Sequence, residues 1–214
     1  MQMKDRSCLT AAFIGCDGSG KSTIIRLVQE RLEREHPDLP LYYRHMRPGL
    51  LPNIGQLVGR EVSTQQISNP HGSRPYGVCS SLIRFGYYLF DYSVGYWAAV
   101  YRPLRRSGGV VIFDRYYYDY LIDPRRSRLN LPQWVFRYIG LPAVPRPRLT
   151  FCLSADPEKI FQRKPELPLK DIRDQVRRLD RFCVENPCVL RIDTGVSVEE
   201  SFDRVWEHIE RALR

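Results

Sequence analysis

Residues 15–23, GCDGSGKST, constrain the fold of this chain more tightly than any other stretch. Gly15, four residues, Gly20, Lys21 and Ser22 match the G-x-x-x-x-G-K-[ST] pattern position for position. The apolar run LTAAFI at 9–14 precedes the loop and reads as a buried strand. Ile24, Ile25, Val28 and Leu32 follow at helical spacing until Pro37 ends the pattern. Glycines let consecutive backbone N–H groups curl inward around an oxyanion that a Cβ would keep out. Gly15, Gly18, Ser19, Gly20, Ser22 and Thr23 are therefore the candidate phosphate cradle. Lys21 adds a point charge for the β and γ phosphates, Ser22 a hydroxyl for Mg²⁺, and the following helix the positive end of its dipole.

The same strand and helix alternation continues downstream. LPLYYRHM at 39–46 reads as a strand, GGVVIFD at 108–114 as a fully buried one, and RLTFCLS at 148–154 and CVLRID at 188–193 repeat the pattern. Short β-branched runs separated by helical segments predict an α/β fold with a parallel sheet covered on both faces, and ligands at the strand C-terminal ends. Asp156 followed by Pro157 reads as a helix N-cap and first helical position, and Ser197 with Glu200 as a capping pair before the last helix. Asp114 ends an apolar strand, where a carboxylate can address Mg²⁺ or its waters, and Arg115 enters the same cleft.

Length and composition bound the rest. A chain of 214 residues with 43% hydrophobic content and no Pro/Gly/Ser-rich linker is expected to form a single domain over 1–214. The longest apolar stretch, 82–101, is interrupted by Arg84 and Asp91, so no membrane insertion is expected. The six cysteines form no C-x-x-C pair and the four histidines have no ligand spacing, which argues against zinc and for reduced thiols in the cytoplasm. Thirty-three Lys and Arg against 24 Asp and Glu give a net charge of +9, compatible with nucleic acid, an acidic membrane or small phosphorylated substrates. Between Arg102 and Arg148, ten arginines stand against Asp114, Asp119 and Asp123. The positive charge is thus internal rather than a tail, and the chain carries no RNA-binding signature.

The phosphate loop GCDGSGKST together with the strand-terminal Asp114-Arg115-Tyr116 resembles the thymidylate kinase family of P-loop nucleoside monophosphate kinases. Weaker likenesses are MRPGLLP at 46–52, the approach to a lid at 131–164, and IDTGVSVEESFDRVW at 192–206. The resemblance implies a three-layer P-loop kinase fold, with five parallel strands, helices on both faces and a basic lid at about 161–180. It implies ATP and Mg²⁺ as cofactors, with Ser22 and Asp114 on the metal and Thr194 and Gly195 on the adenine side. Asp17 corresponds to the loop carboxylate near the acceptor, Arg115 to the arginine on the acceptor phosphate, and Arg163 with Lys164 to the basic lid segment. Catalytic roles are thereby expected for Asp17, Lys21, Arg115 and Arg163, and a homodimer is implied through helices flanking the sheet, one of them carrying Leu82, Leu89, Phe90, Trp97 and Val100.

The departures fall on the acceptor side. The family's Asp-Arg pair in the long aromatic helix is matched here by Asp91-Tyr92, and its Arg-Glu-Pro-Gly by Met46-Arg47-Pro48-Gly49. Arg47, Tyr88, Asp91 and Arg115 are the acceptor-side candidates, with Arg125, Arg126 and Arg128 adding positive charge beyond the third strand. The expected activity is ATP- and Mg²⁺-dependent phosphoryl transfer to a small anionic acceptor, a nucleoside monophosphate first and not strictly thymidylate. A sugar or surface-polysaccharide intermediate is the alternative acceptor, and a nucleic-acid-associated ATPase the alternative class.

Overall fold

The computed structural model describes residues 8–52, 76–123, 126 and 128–214. Five apolar runs become β1 (Cys8–Ile14), β2 (Leu41–His45), β3 (Gly109–Asp114), β4 (Leu149–Ser154) and β5 (Val189–Asp193). They pair entirely in parallel, in the order β2-β3-β1-β4-β5. β2 is shorter than the 39–46 run, because pairing with β3 begins at Leu41, after Pro40, which has no N–H to donate.

Alternation along the strands divides the core into two faces. Leu9, Ala11 and Phe13 of β1, Val110 and Ile112 of β3, and Phe151 and Leu153 of β4 point to one side. There they meet Ile24, Ile25, Val28 and Leu32 of α1 (Lys21–Glu35) and Val205, Trp206 and Ile209 of the last helix. Ala12, Ile14, Val111, Phe113 and Cys152 point to the other side. That face is covered by an aromatic layer including Tyr92, Tyr116, Tyr117, Tyr120 and Phe136, and by Leu179 and Phe182.

The apolar stretch around 82–101 is not one regular helix. It forms α2 (Val78–Phe90), two π-helical stretches, π1 (Asp91–Gly95) and π2 (Trp97–Tyr101), and α3 (Arg102–Ser107). Each π turn holds an extra residue, which redirects side chains that a regular helix would keep in register. Among the described residues the further helical elements are α4 (Asp119–Ile122), π3 (Val135–Gly140), α5 (Leu141–Ala143), α6 (Pro157–Arg163), α7 (Leu169–Glu185) and α8 (Val198–Leu213). Asp156 caps α6 by accepting from the Glu158 N–H at 3.0 Å, and Ser197 caps α8 by accepting from Glu200 N–H at 3.1 Å. No helix among the described residues is long and apolar enough to cross a membrane.

Strand order places β1 in the centre, with β3 and β4 on its two sides. The chain leaves β1 for β2 at one edge and leaves β3 for β4 across β1, so the crevice at the C-terminal end of β1 is a topological switch point. The loop 15–20 lies there, between β1 and α1.

Candidate functional site

Three strand ends and the segment after α6 converge on an open cleft of about 440 Å³. The glycine-rich loop supplies Asp17, Gly18, Gly20, Lys21, Ser22 and Thr23 to it, and β2 and β3 supply His45, Asp114 and Arg115. Arg126, Arg163 and Lys164 complete the walls. Five cationic side chains thus face two carboxylates, Asp17 and Asp114, a balance that favours a polyanion.

The loop has the backbone that its glycines promise. Gly15, Gly18 and Gly20 have φ of 151°, 84° and 83°, values that a side chain disfavours. At Gly15 a Cβ would collide with the Leu153 carbonyl of β4, so the loop can lie against the sheet only without one. Ser19 is buried beneath the loop, and its Oγ has no partner among the described residues. Lys21 is also buried and donates to the Gly15 carbonyl at 2.8 Å and the Cys16 carbonyl at 2.7 Å. Burial, aided by the nearby Arg115 charge, pushes its ammonium down to about 8, against the pull of Asp17 and Asp119.

Arg115 stands immediately beyond β3 with φ of 70°, an uncommon conformation for a residue with a side chain. Its N–H continues the sheet by donating to Phe13 O at 2.9 Å, while its guanidinium turns back under the loop. There Nη1 meets Asp119 at 2.5 Å and the Gly15 carbonyl at 3.3 Å, and Nη2 pairs with Asp17. The second oxygen of Asp17 accepts from Arg126 Nη1 at 2.5 Å. Burial alone would raise the Asp17 pKa, but Arg115, Lys21 and Arg126 outweigh it and hold the carboxyl well below the usual range.

Asp114 is braced by β2. Tyr43 donates its hydroxyl to Asp114 Oδ2 at 2.8 Å, and His45 Nδ1 lies 3.6 Å from the same oxygen, opposite Asp114 in the strand register. Burial opposes ionisation of Asp114, yet the nearby His45, the Tyr43 hydrogen bond and the charge of Lys21 bring its pKa down to about 2. Ser22 and Asp114 both line the cleft and offer a hydroxyl and a carboxylate, oxygen ligands that suit a hard divalent cation. Among the described residues no group of three or more His, Cys, Asp or Glu could hold a metal. A cation here would therefore draw its remaining ligands from phosphate and water, which is the usual habit of Mg²⁺.

Opposite the loop, Arg163 at the end of α6 donates to the Thr194 carbonyl at 2.9 Å, and Lys159 to the Gly195 carbonyl at 2.9 Å. Gly195 is fixed further by donating to Asp193 Oδ1 at 2.7 Å. Thr194 and Gly195 thus sit against the segment that carries Arg163. The segment 161–180 comprises the end of α6, a short connection with a Lys164–Glu166 pair at 3.2 Å, and most of α7.

Arg47, Tyr88 and Asp91 form a cluster of their own and are not among the residues lining the cleft. Asp91 is fully buried and accepts from Arg47 at 3.0 Å and from the backbone N–H groups of Gly49, Leu50 and Leu51 at 3.3, 2.9 and 3.0 Å. Its carboxylate is thereby committed to clamping the loop after β2. The Arg47 guanidinium lies 5.0 Å from the Tyr88 ring centroid. Tyr92 is buried and donates to the Met46 carbonyl at 2.9 Å. Arg128 has a φ of 54°, and Arg125 falls outside the described residues.

Several contacts had no sequence signal. The pairing of Asp17 with Arg126 joins positions 109 apart, and the support of Asp114 by Tyr43 depends on strand register. Asp119 was legible in part, four residues after Arg115 on a short helical turn.

The architecture is an α/β fold with a five-stranded parallel sheet flanked by helices. Neither protein-family models nor curated proteins match the chain.

Proposed function

We propose that this protein is an ATP- and Mg²⁺-dependent phosphotransferase of the thymidylate-kinase-like P-loop type, acting on a small anionic acceptor. The observation that carries this reading is the convergence of Lys21, Asp114, Arg115 and Arg163 on one cleft at the switch point of a parallel sheet. In this reading the loop N–H groups and Lys21 hold the donor phosphates, and Ser22 and Asp114 hold the cation. Bound Mg²⁺ would supply charge neutralisation across the phosphates. Asp17 and Arg115 order the acceptor side, and Arg163 brings positive charge to the reaction from the segment read as the lid. Thr194 and Gly195 border the base of the nucleotide.

Phosphoryl transfer asks little covalent chemistry of a protein, so rate depends on placing the two reactants and on charge in a dry site. The cleft has both resources in its arginines and in a loop pinned to β4. A homodimer is part of the same proposal, supported by the exposed side of the α2–π2 rod, where Ile83, Phe90, Val94, Trp97 and Tyr101 stay accessible.

The test is phosphate transfer from ATP with a panel of nucleoside monophosphates, thymidylate included, sugars and sugar phosphates, beside single-stranded nucleic acid. Turnover dependent on one acceptor supports the kinase reading. Turnover stimulated only by nucleic acid replaces it with the ATPase class, and efficient use of thymidylate removes the reading of relaxed specificity drawn from Asp91-Tyr92.

A further inference from the structure

We infer that Arg126, rather than Arg115, is the guanidinium that receives the anionic group of the acceptor, and that Asp17 competes for it from within the protein. The inference rests on the kinase reading above and names a residue which that reading leaves without a task.

Arg115 is buried and largely committed within the protein. Its Nη1 serves Asp119 and the Gly15 carbonyl, its Nη2 serves Asp17, and only 5% of its side chain is exposed. A guanidinium carries five N–H donors in a rigid fork, and one spent on three fixed acceptors is a brace for the loop rather than a free receptor. Arg126 is different. It lines the cleft with 18% of its side chain exposed, and among the described residues its side chain bonds through Nη1 to Asp17 Oδ2 at 2.5 Å. It shares the cleft wall with Arg163 and Lys164. An entering phosphate or carboxylate would exchange with Asp17 for Arg126.

Asp17 keeps its hold on Arg115 during that exchange, so the loop is not released when Arg126 turns to the acceptor. Arg115 is then a positioning residue, acting through Asp17 and the loop carbonyl, and Arg126 is the specificity-determining contact. A phosphate or carboxylate offers the planar pair of oxygens that a guanidinium fork reads, and a neutral hydroxyl acceptor does not.

The experiment uses the full chain with methyl phosphate as the anionic probe, titrated by calorimetry in saturating MgADP so that the loop is occupied. Wild-type protein is expected to bind the probe, Arg126→Gln to bind it at least about tenfold more weakly, the scale of a lost charge-assisted hydrogen bond. MgADP affinity in that variant is expected to stay within about twofold. Asp17→Asn removes the internal competitor's charge and is expected to tighten the probe by about threefold or more. A merely structural pair would instead leave probe affinity unchanged or weaken it in both variants. Equal probe affinity in wild type and Arg126→Gln, or weaker binding in Asp17→Asn, overturns the inference while the kinase reading stands. Failure of wild-type protein to bind MgADP overturns the kinase reading and the inference with it.

Discussion

At the residue scale the cleft is a set of charges whose partners are already assigned. Lys21 reaches the loop carbonyls Gly15 O and Cys16 O with its ammonium. Lys21→Ala leaves the N–H cradle in place and removes that charge. Turnover is expected to be abolished and MgATP binding weakened, measured by calorimetry and by phosphate transfer. Retained turnover would separate the loop from the donor site. Asp17 allows a test by pH. Its folded pKa is depressed, so its contribution to stability is full above the unfolded value of about 3.9 and is lost as pH falls below it. Urea midpoints of wild type and Asp17→Asn between pH 7 and pH 3 are expected to converge on acidification, with wild type losing more.

At the element scale, the chain after β2 is fastened to π1 by the buried Asp91 carboxylate and by the Tyr92 hydroxyl. Asp91 takes Arg47 and three backbone N–H groups, satisfying donors that would otherwise be stranded near the core. The clamp works only because Gly95 lies one turn later. A Cβ there would stand 2.6 Å from Asp91 Oδ1 and 3.1 Å from Leu50 Cβ. Helix propensity by itself favours Gly95→Ala by about 1 kcal/mol. The steric conflict is expected to win, destabilising the protein by about 1–3 kcal/mol in urea denaturation. A stabilised variant would show that the clamp has room to shift. The same element explains why the 82–101 stretch could not be resolved from its composition. Val100 and Phe85 are buried, while Leu82, Phe90 and Trp97 are exposed, and the π turns shift the face on which each residue falls.

At the scale of the whole molecule, the exposed members of that rod define the proposed dimer contact. Phe90, Val94, Trp97 and Tyr101 recur three and four residues apart and are each at least about two-fifths exposed, with the Trp97 and Tyr101 rings 4.6 Å apart. A self-complementary face of this kind suits a two-fold axis. Sedimentation at micromolar concentration is expected to give a dimer for wild type and a monomer for Trp97→Asp with unchanged thermal stability of the fold. Monomeric wild type would remove the dimer from the proposal.

The sheet was legible in the sequence because buried parallel strands are short apolar runs, and because Pro37, Asp156-Pro157 and Ser197 punctuate the helices between them. The loop 15–23 was legible for a similar reason: its conformation depends on local backbone freedom, and glycine at positive φ is written directly in the sequence. Tertiary structure decided the order β2-β3-β1-β4-β5 and which carboxylate meets which arginine. Asp17, Arg115 and Arg126 are far apart in the chain, and Asp91 and Arg47 are joined across 44 residues. Charges paired across long stretches of sequence have no periodicity that encodes the partner. Their pairing follows from strand order and register, so the sequence by itself determined the scaffold and the glycine-rich loop, and only the fold assigned each charge its partner.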